Sequence, residues 1–294
     1  EDKDIRPQPR PDGPELRFNW NTPIATSPTD PTRLYVGSQF LHRSADRGET
    51  WDVISPDLTT DDPDLQRQAE SGGLTVDNTT AENHCTIFAV AESPLDRAVI
   101  WVGTDDGRLQ VTTDDGARWR DVSGALPDVP RGTWISSVEP SRHAADEAFV
   151  TCDGHRRGDM RPHVLRTADG GRTWTRLDSP DVVGHAHVIR QDPVNADLLY
   201  LGTERGLYVS LDRGRNWARF TEGVPPVSVR DLALQERDNA LVIGTHGRGV
   251  LVIDDLGPLR ELTPAVLAAP VTVLASRPAV LRIPQGRSFS PGDT

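Results

Sequence analysis

An eight-residue phrase occurs four times in this chain of 294 residues, and it constrains the fold more than any other feature. Each copy fits the pattern Ser/Thr-x-Asp-x-Gly-x-x-Trp, and the copies read SADRGETW, TTDDGARW, TADGGRTW and SLDRGRNW. Their tryptophans stand at positions 51, 119, 174 and 217. This spacing suits a repeat unit the size of a four-stranded propeller blade, with insertions of different length.

Short apolar runs accompany each phrase at the same relative positions. In the second unit they read TIFAVAESP, VIWVGT, RLQVTT and WRDVS, all rich in residues that favour strands. The phrase falls between the third and fourth runs, which predicts a hairpin turn. A fifth unit has three runs, VRDLALQER, ALVIGTHG and RGVLVIDD, and the segment DDLGPLRELT replaces the phrase. The sequence therefore predicts an all-β protein, a β-propeller with about five four-stranded blades.

The recurring residues of the phrase suit a structural role. An Asp carboxylate can accept hydrogen bonds from the backbone of its own turn, and Gly allows a positive φ. The Trp side chain offers a large apolar surface to the neighbouring blade. We therefore interpret these residues as turn locks rather than catalysts. They are Asp46, Gly48, Trp51, Asp114, Gly116, Trp119, Asp169, Gly171, Trp174, Asp212, Gly214 and Trp217.

Composition and charge exclude some classes of function. The net charge of -12 argues against nucleic-acid binding, which needs a basic face, and no apolar run is long enough to span a membrane. Cys85 and Cys152 fit either one bridge between neighbouring repeats or two buried thiols, and we favour the thiols. Because the chain starts at Glu1 without Met, we expect a processed protein or a fragment.

The ends of the chain differ from the repeats. We expect a polar, Pro-rich arm or linker over residues 1–15, the propeller over 16–262 and a Pro-rich extended tail over 263–294. A long acidic insertion covers residues 57–83. We interpret it as a surface loop, with a lid or docking loop as the alternative.

The four phrases match the Asp-box, or BNR, repeat, and residues 16–262 resemble a large bacterial family with such repeats. The resemblance includes FNWNTP, WVGTDDGRLQVT, LGTERGLYVS and VIGTHGRGVLVIDD. Members of this family are usually labelled sortilin-like (VPS10-like) or glycosyl-hydrolase-like, and they are generally exported. The resemblance implies a β-propeller in an extracytoplasmic location, either periplasmic or secreted.

Unusually polar turns join the second and third strands of four units. In a propeller these turns lie near the axis, at the face opposite the Asp boxes, where ligands often bind. We predict ligand-binding candidates there, and the alternative is a repeated turn with solvated charges. The candidates are Asp105, Asp106, Arg108, Asp153, His155, Arg156, Arg157, Glu204, Arg205, His246 and Arg248.

A sialidase-like reaction needs an arginine cluster, a Tyr nucleophile activated by Glu, and an Asp acid/base. The three tyrosines, Tyr35, Tyr200 and Tyr208, fall inside predicted strands and fit core positions. Sialidases carry Arg-Ile-Pro before the first Asp box, whereas Arg282-Ile283-Pro284 follows the last one here. A glycosidase with two catalytic carboxylates remains an alternative, because acidic residues are numerous. No feature of the sequence marks two of them as a catalytic pair.

Histidines near the predicted mouth raise the question of a metal. His185 and His187 alternate on a predicted strand and so share a face, and His84, His155 and His246 fall nearby. Imidazoles suit zinc or copper, but the sequence holds no compact ligand motif. We therefore predict no metal and no cofactor, with hydrogen-bonded histidines lining a channel.

The sequence thus favours a non-catalytic, exported binding propeller, either a sortilin-like module or an accessory subunit of a larger assembly. Its partner would be a protein, a peptide or a glycan. The alternative is a glycoside hydrolase of the BNR/sialidase-like type. A third interpretation, a purely architectural subunit, predicts flat apolar contacts on the rim.

Overall fold

The computed structural model describes residues 5–67, 70 and 81–275, and β-strands dominate them. The strands form five antiparallel sheets arranged as the blades of a β-propeller, which confirms the predicted fold class. Four blades have four strands, and the fifth has three, as its sequence predicts. In blade order the strands are β1 (Ile24–Thr26), β2 (Leu34–Gly37), β3 (Leu41–Ser44), β4 (Asp52–Val53); β5 (Ile87–Glu92), β6 (Ile100–Thr104), β7 (Leu109–Thr112), β8 (Arg120–Asp121); β9 (Trp134–Pro140), β10 (Ala148–Asp153), β11 (His163–Thr167), β12 (Thr175–Arg176); β13 (Ala186–Gln191), β14 (Leu199–Thr203), β15 (Gly206–Ser210), β16 (Ala218–Phe220); and β17 (Val229–Gln235), β18 (Ala240–Thr245), β19 (Val250–Ile253).

Two short helices follow the last strand. α1 (Gly257–Glu261) stands where the fifth blade would carry its turn and fourth strand, and α2 (Pro264–Ala268) comes directly after it. Within the described ranges, no helix has the length and apolar character needed to cross a bilayer. The tail adds no strand up to residue 275, and the run AVLRIP lies outside the described residues.

The repeated phrase forms the turn between the third and fourth strands of four blades. In blade three, the Asp169 carboxylate accepts hydrogen bonds from the backbone N–H and the hydroxyl of Thr173, at 2.9 and 2.6 Å. The Thr167 hydroxyl accepts one from the N–H of Gly171, at 2.9 Å, and this glycine has a φ of 85°. The other three turns repeat the pattern with their own Ser or Thr, Asp and Gly.

Each tryptophan of the phrase reaches beyond its own blade. The indole N–H of Trp119 donates to the Ile54 carbonyl of blade one at 3.1 Å, and that of Trp217 donates to the Leu177 carbonyl of blade three at 2.7 Å. Trp174 packs edge-to-face on Trp101 of blade two. The turns therefore link successive blades. In blade one, the Trp51 indole donates to Ile5 at 2.8 Å, so the N-terminal segment takes the place of a preceding blade.

Hydrogen bonds from Thr50 and Thr173 lower the pKa of Asp46 and of Asp169 to about 2. Because these pKa values lie below the unfolded value of about 3.9, the ionised carboxylates stabilise the fold. Their whole contribution is present above about pH 4 and is lost as the pH falls through about 2. We expect Asp169→Asn to lower the free energy of unfolding at neutral pH. We also expect this free energy to decrease less steeply with falling pH in the variant than in the wild type. Urea unfolding between about pH 5 and pH 2 measures both effects. Asp181→Asn, an exposed position outside the repeats, is the control, and an unchanged slope in the Asp169 variant would contradict the turn-lock role.

The cysteines and tyrosines belong to the core. Cys85 and Cys152 are both free and buried, and burial raises the pKa of each thiol to about 12. Tyr35, Tyr200 and Tyr208 are buried in strands, as predicted. The disulfide alternative is therefore wrong for this structure.

Candidate functional site

A cavity of about 590 Å³ lies where the first strands of blades two to five converge, and we call it the axial pocket. Its volume is in the range of ligand-binding sites. Phe88 contributes from blade two, Trp134 and Asp153 from blade three, His187 from blade four, and Arg230 from blade five. The pocket therefore mixes aromatic groups, imidazoles and charges of both signs.

A repeated irregularity in the first strand builds the wall of this pocket. In blades two to five the pairing of the first strand with the second skips one residue, so that residue lies in a β-bulge. All four skipped residues line the axial pocket. Bulges re-aim side chains beside functional sites. The bulge residues are Phe88, Ser136, His187 and Arg230.

Trp134 is almost enclosed by its neighbours. The Arg156 guanidinium lies over its ring at 4.4 Å from the centroid, the Phe88 ring meets it edge-on at 5.1 Å, and His84 lies at 5.8 Å. Only 8% of Trp134 is exposed. The indole is thus held rigidly in the wall of the pocket, and the Arg156 side chain stacked on it stays exposed to solvent.

Asp153, His185 and His187 converge at the buried side of the pocket. The Asp153 Oδ2 atom is 3.9 Å from His185 Nε2 and 3.9 Å from His187 Nδ1, too long for hydrogen bonds. Oδ1 of the same carboxylate accepts from the backbone N–H and the Nδ1 of His155, at 3.0 and 2.7 Å. His155 and His185 are stacked with ring centroids 4.6 Å apart.

Glu204 lies on the other side of the histidine pair. Its Oε2 accepts hydrogen bonds from His187 Nε2 at 3.1 Å and from the Ser228 hydroxyl at 2.8 Å. Although partial burial opposes the shift, these bonds and the charge of Arg230 lower the pKa of Glu204. Its carboxylate is therefore ionised at neutral pH.

Both imidazoles of the pair are neutral at neutral pH. Burial, with help from the charge of Arg230, lowers the pKa of His187 to about 4. Burial also lowers the pKa of His185, against the opposing attraction of Asp153. A neutral His187 that donates from Nε2 to Glu204 carries a lone pair on Nδ1, which faces Asp153.

The structure brings only some of the predicted candidates together. Asp153, His155, Arg156 and His246 line the axial pocket, and Glu204 contacts it through its hydrogen bond with His187.

The remaining candidates lie outside the pocket. Asp105 is fully buried and accepts hydrogen bonds from Thr86 and Asn19, and burial raises its pKa to about 6. The other candidates lie elsewhere: Asp106 and Arg108 line a separate cavity of about 330 Å³, Arg157 donates to the Arg131 carbonyl, and Arg205 and Arg248 are exposed outside the pocket lining.

Apart from His187, the sequence analysis did not identify the first-strand residues that line the pocket. Phe88, Trp134, Arg190, Arg230 and Asp231 all belong to this group. The only signal for Trp134 and Arg190 was their place in runs that the repeat assigns to first strands. The bulges that re-aim Phe88 and Arg230 left no recognisable mark in the sequence.

The structure contains a Tyr–Glu pair, but not at the pocket. The Tyr35 hydroxyl donates to Glu92 Oε2 at 2.5 Å, and Arg33 lies 3.5 Å from the same oxygen. The Tyr35 and Glu92 side chains are buried between blades one and two, and burial raises the pKa of Tyr35. This pair cannot meet a substrate without opening the core. Arg282-Ile283-Pro284 lies outside the described residues.

The folded chain is similar to solved β-propeller structures, whereas no family profile and no curated protein matches its sequence. An ancestral GH74 enzyme matches with a TM-score of 0.55 and 20% identity, over 78% of this chain and 28% of that one. The GH74 xyloglucanase from Xanthomonas campestris matches with a TM-score of 0.56 and 20% identity, over 82% of this chain and 37% of that one.

A third similar structure is the extracellular domain of a B. thetaiotaomicron protein described as a hybrid two-component system. It gives a TM-score of 0.51 and 14% identity, over 82% of this chain and 27% of that one. This chain thus spans well under half the length of these proteins. At such identities the similarity establishes the fold alone, and that fold is a β-propeller.

Proposed function

We propose that this protein is a non-catalytic, exported binding propeller of the BNR/VPS10-like type, and that its axial pocket takes a peptide segment of a partner protein. The four bulge residues carry this proposal, because each of four blades delivers one side chain to the same cavity. The family resemblance of the Asp-box phrases supports export and the extracytoplasmic location.

The chemistry of the wall favours a peptide over a glycan. Sugar rings are commonly recognised on an open aromatic face, but Arg156 covers a face of Trp134. The exposed groups at the mouth are polar: Arg156, Arg230 and Asp231 carry charges, and Asn21 and His246 offer an amide and an imidazole. Such groups suit the carboxylates, amines and backbone amides of a polypeptide.

Glycoside hydrolysis is the second candidate, because two carboxylates, Asp153 and Glu204, flank the histidine pair. Both lie within 3.9 Å of His185 Nε2. A glycosidase needs one of its acids protonated at working pH, with a raised pKa. The pKa of Glu204 is lowered instead, and both of its hydrogen-bond donors hold it as an anion. Glu204 therefore does not fit the role of the general acid.

A peptide selection tests the binding function. We expect a phage library of random peptides of about 12 residues to yield sequences that bind the wild-type protein. Arg156→Ala/Arg230→Ala should weaken them at least about tenfold, because one charge-assisted hydrogen bond contributes about 1.5–3 kcal/mol. Arg205→Ala/Arg248→Ala removes the same charge from turns outside the pocket and is the matched control. Equal loss in both double variants would contradict the assignment of the pocket.

The hydrolase alternative has its own test. Xyloglucan and a panel of aryl glycosides are incubated with the wild-type protein and with Glu204→Gln. Turnover by the wild type that disappears in the variant would replace the binding proposal with hydrolysis. We expect no turnover by either protein.

A further inference from the structure

We propose that Asp153, His185 and His187 form a binding site for a divalent transition metal of the zinc class, at the floor of the axial pocket. One ligand atom from each of the three residues lies within 4.8 Å of the other two, and Asp153 Oδ2 is 3.9 Å from both His185 Nε2 and His187 Nδ1. This site stands independently of the proposed peptide binding. It also revises the expectation from the sequence, which predicted no metal.

The donor set fits zinc in type and number. Two imidazoles and one carboxylate are the ligands that zinc takes in sites with three protein ligands and an open fourth position. In a tetrahedral site with bonds of about 2.0–2.1 Å, neighbouring ligand atoms are about 3.3 Å apart. The observed 3.9 Å separations require shifts of a few tenths of an ångström in each side chain.

The surroundings of His187 resemble the outer shell of a metal site. Its Nε2–H donates to Glu204, which leaves a lone pair on Nδ1, the atom that lies 3.9 Å from Asp153 Oδ2. A carboxylate that accepts from the far nitrogen of a ligating histidine fixes the ring and its tautomer. Ser228 in turn holds the same Glu204 oxygen, at 2.8 Å. The imidazole is thus held in the orientation that ligation needs.

Asp153 is held in the same way. His155 occupies Oδ1 with two hydrogen bonds, so Oδ2 is the oxygen that faces the two histidines. His187 Nδ1 and Asp153 Oδ2 can both act as acceptors, and they lie 3.9 Å apart without a hydrogen bond between them. Two acceptors in a buried position repel each other unless a cation lies between them. The Asp153 side chain is 10% exposed, and the His185 and His187 side chains are 7% and 6% exposed.

The open position would face the axial pocket, since Asp153 and His187 both line it. A carboxylate, imidazole or thiolate from a bound molecule, or a water, could complete the coordination there. The chemical class of the cation is a borderline-soft divalent ion, Zn²⁺ first, with Co²⁺, Ni²⁺ and Cu²⁺ as ions that the same donors accept.

Metal titration of the untagged, chelator-treated protein tests the site. We expect calorimetry to show about one Zn²⁺ bound per chain, and Co²⁺ to give the intense visible absorption of a four- or five-coordinate ion. Zn²⁺ should raise the melting temperature, because it binds the folded state in preference to the unfolded one. Glu204→Gln should weaken binding about 10–100-fold, as expected for a group that orients a ligand.

Matched variants locate the site. His185→Ala and His187→Ala should abolish stoichiometric binding and the Co²⁺ spectrum, whereas His246→Ala, at the same pocket but outside the cluster, should retain both. His187→Gln provides a second variant if the alanine form fails to fold, and circular dichroism checks each fold. Absence of stoichiometric binding by the wild type, or an equal effect of His246→Ala and His185→Ala, would overturn the proposal.

Discussion

Replacing Arg260 with alanine should lower the free energy of unfolding by about 3 kcal/mol and the melting temperature by roughly 6–12 °C. The Arg260 guanidinium forms hydrogen bonds of 2.9–3.0 Å with Asp192, whose side chain is fully buried. Removal of one member of such a pair leaves a buried charge without its counter-ion. Asp192 would still accept hydrogen bonds from the backbone N–H groups of Val194 and Asn195, which limits the loss of stability.

The position of Arg260 explains why this effect should exceed that of an ordinary ion pair. Arg260 lies in α1, Asp192 follows the first strand of blade four, and Arg260 also donates to the side chain of Asn239 in blade five. The pair thus fastens the helix that replaces the turn of the repeated phrase in blade five. Arg237→Ala removes an exposed arginine paired with Asp238 and should cost much less, because solvent screens exposed ion pairs. Equal losses in the two variants, measured by urea unfolding, would contradict this account.

Replacing Gly103 with alanine should cost about 1–3 kcal/mol, because the new methyl group has no room. An ideal Cβ on Gly103 would lie 2.4 Å from the Cγ2 atom and 2.6 Å from the Cβ atom of Ile135, which is fully buried in blade three. Gly37 and Gly202 make the same close approach to Ile87 and Val229 of the blades that follow them. In blades one, two and four, a glycine on the second strand thus allows the next blade to approach closely.

Gly124→Ala is the control for this prediction. A Cβ on Gly124 meets nothing within 4 Å, so the variant should be as stable as the wild type. Chemical unfolding of both variants measures the difference. If Gly103→Ala unfolds at the same denaturant concentration as Gly124→Ala, the close packing between blades two and three is not a source of stability.

The repeat made most of the fold predictable. The repeated phrase and the runs around it indicated four blades, and the runs alone indicated the fifth, because hairpin turns and strands depend on local sequence. The glycine in VIWVGT was visible as well, but its partner Ile135 belongs to another blade. Contacts of that kind depend on how blades pack, which no local pattern reports.

The site was predictable only in part. The polar turns pointed to Asp153 and His246, which both line the axial pocket, since turn positions follow from the repeat. Asp105 has the same position in its own blade, yet Thr86 and Asn19 bury it. Arg230 was missed because a bulge, and not regular alternation, turns it towards the axis. Burial and register shifts depend on neighbouring blades, so they could not be derived from a single unit.

The measurement that tests the central claim most directly is calorimetric titration of a selected peptide into four proteins. These are the wild type, Arg156→Ala/Arg230→Ala, Arg205→Ala/Arg248→Ala, and the wild type after chelator treatment. If the axial pocket is the binding site, Arg156→Ala/Arg230→Ala loses at least about tenfold in affinity for the peptide, and Arg205→Ala/Arg248→Ala keeps the affinity of the wild type. The chelator-treated protein then shows whether a metal contributes to the same binding. Binding that is unchanged in Arg156→Ala/Arg230→Ala would contradict the claim and move the site away from the axis.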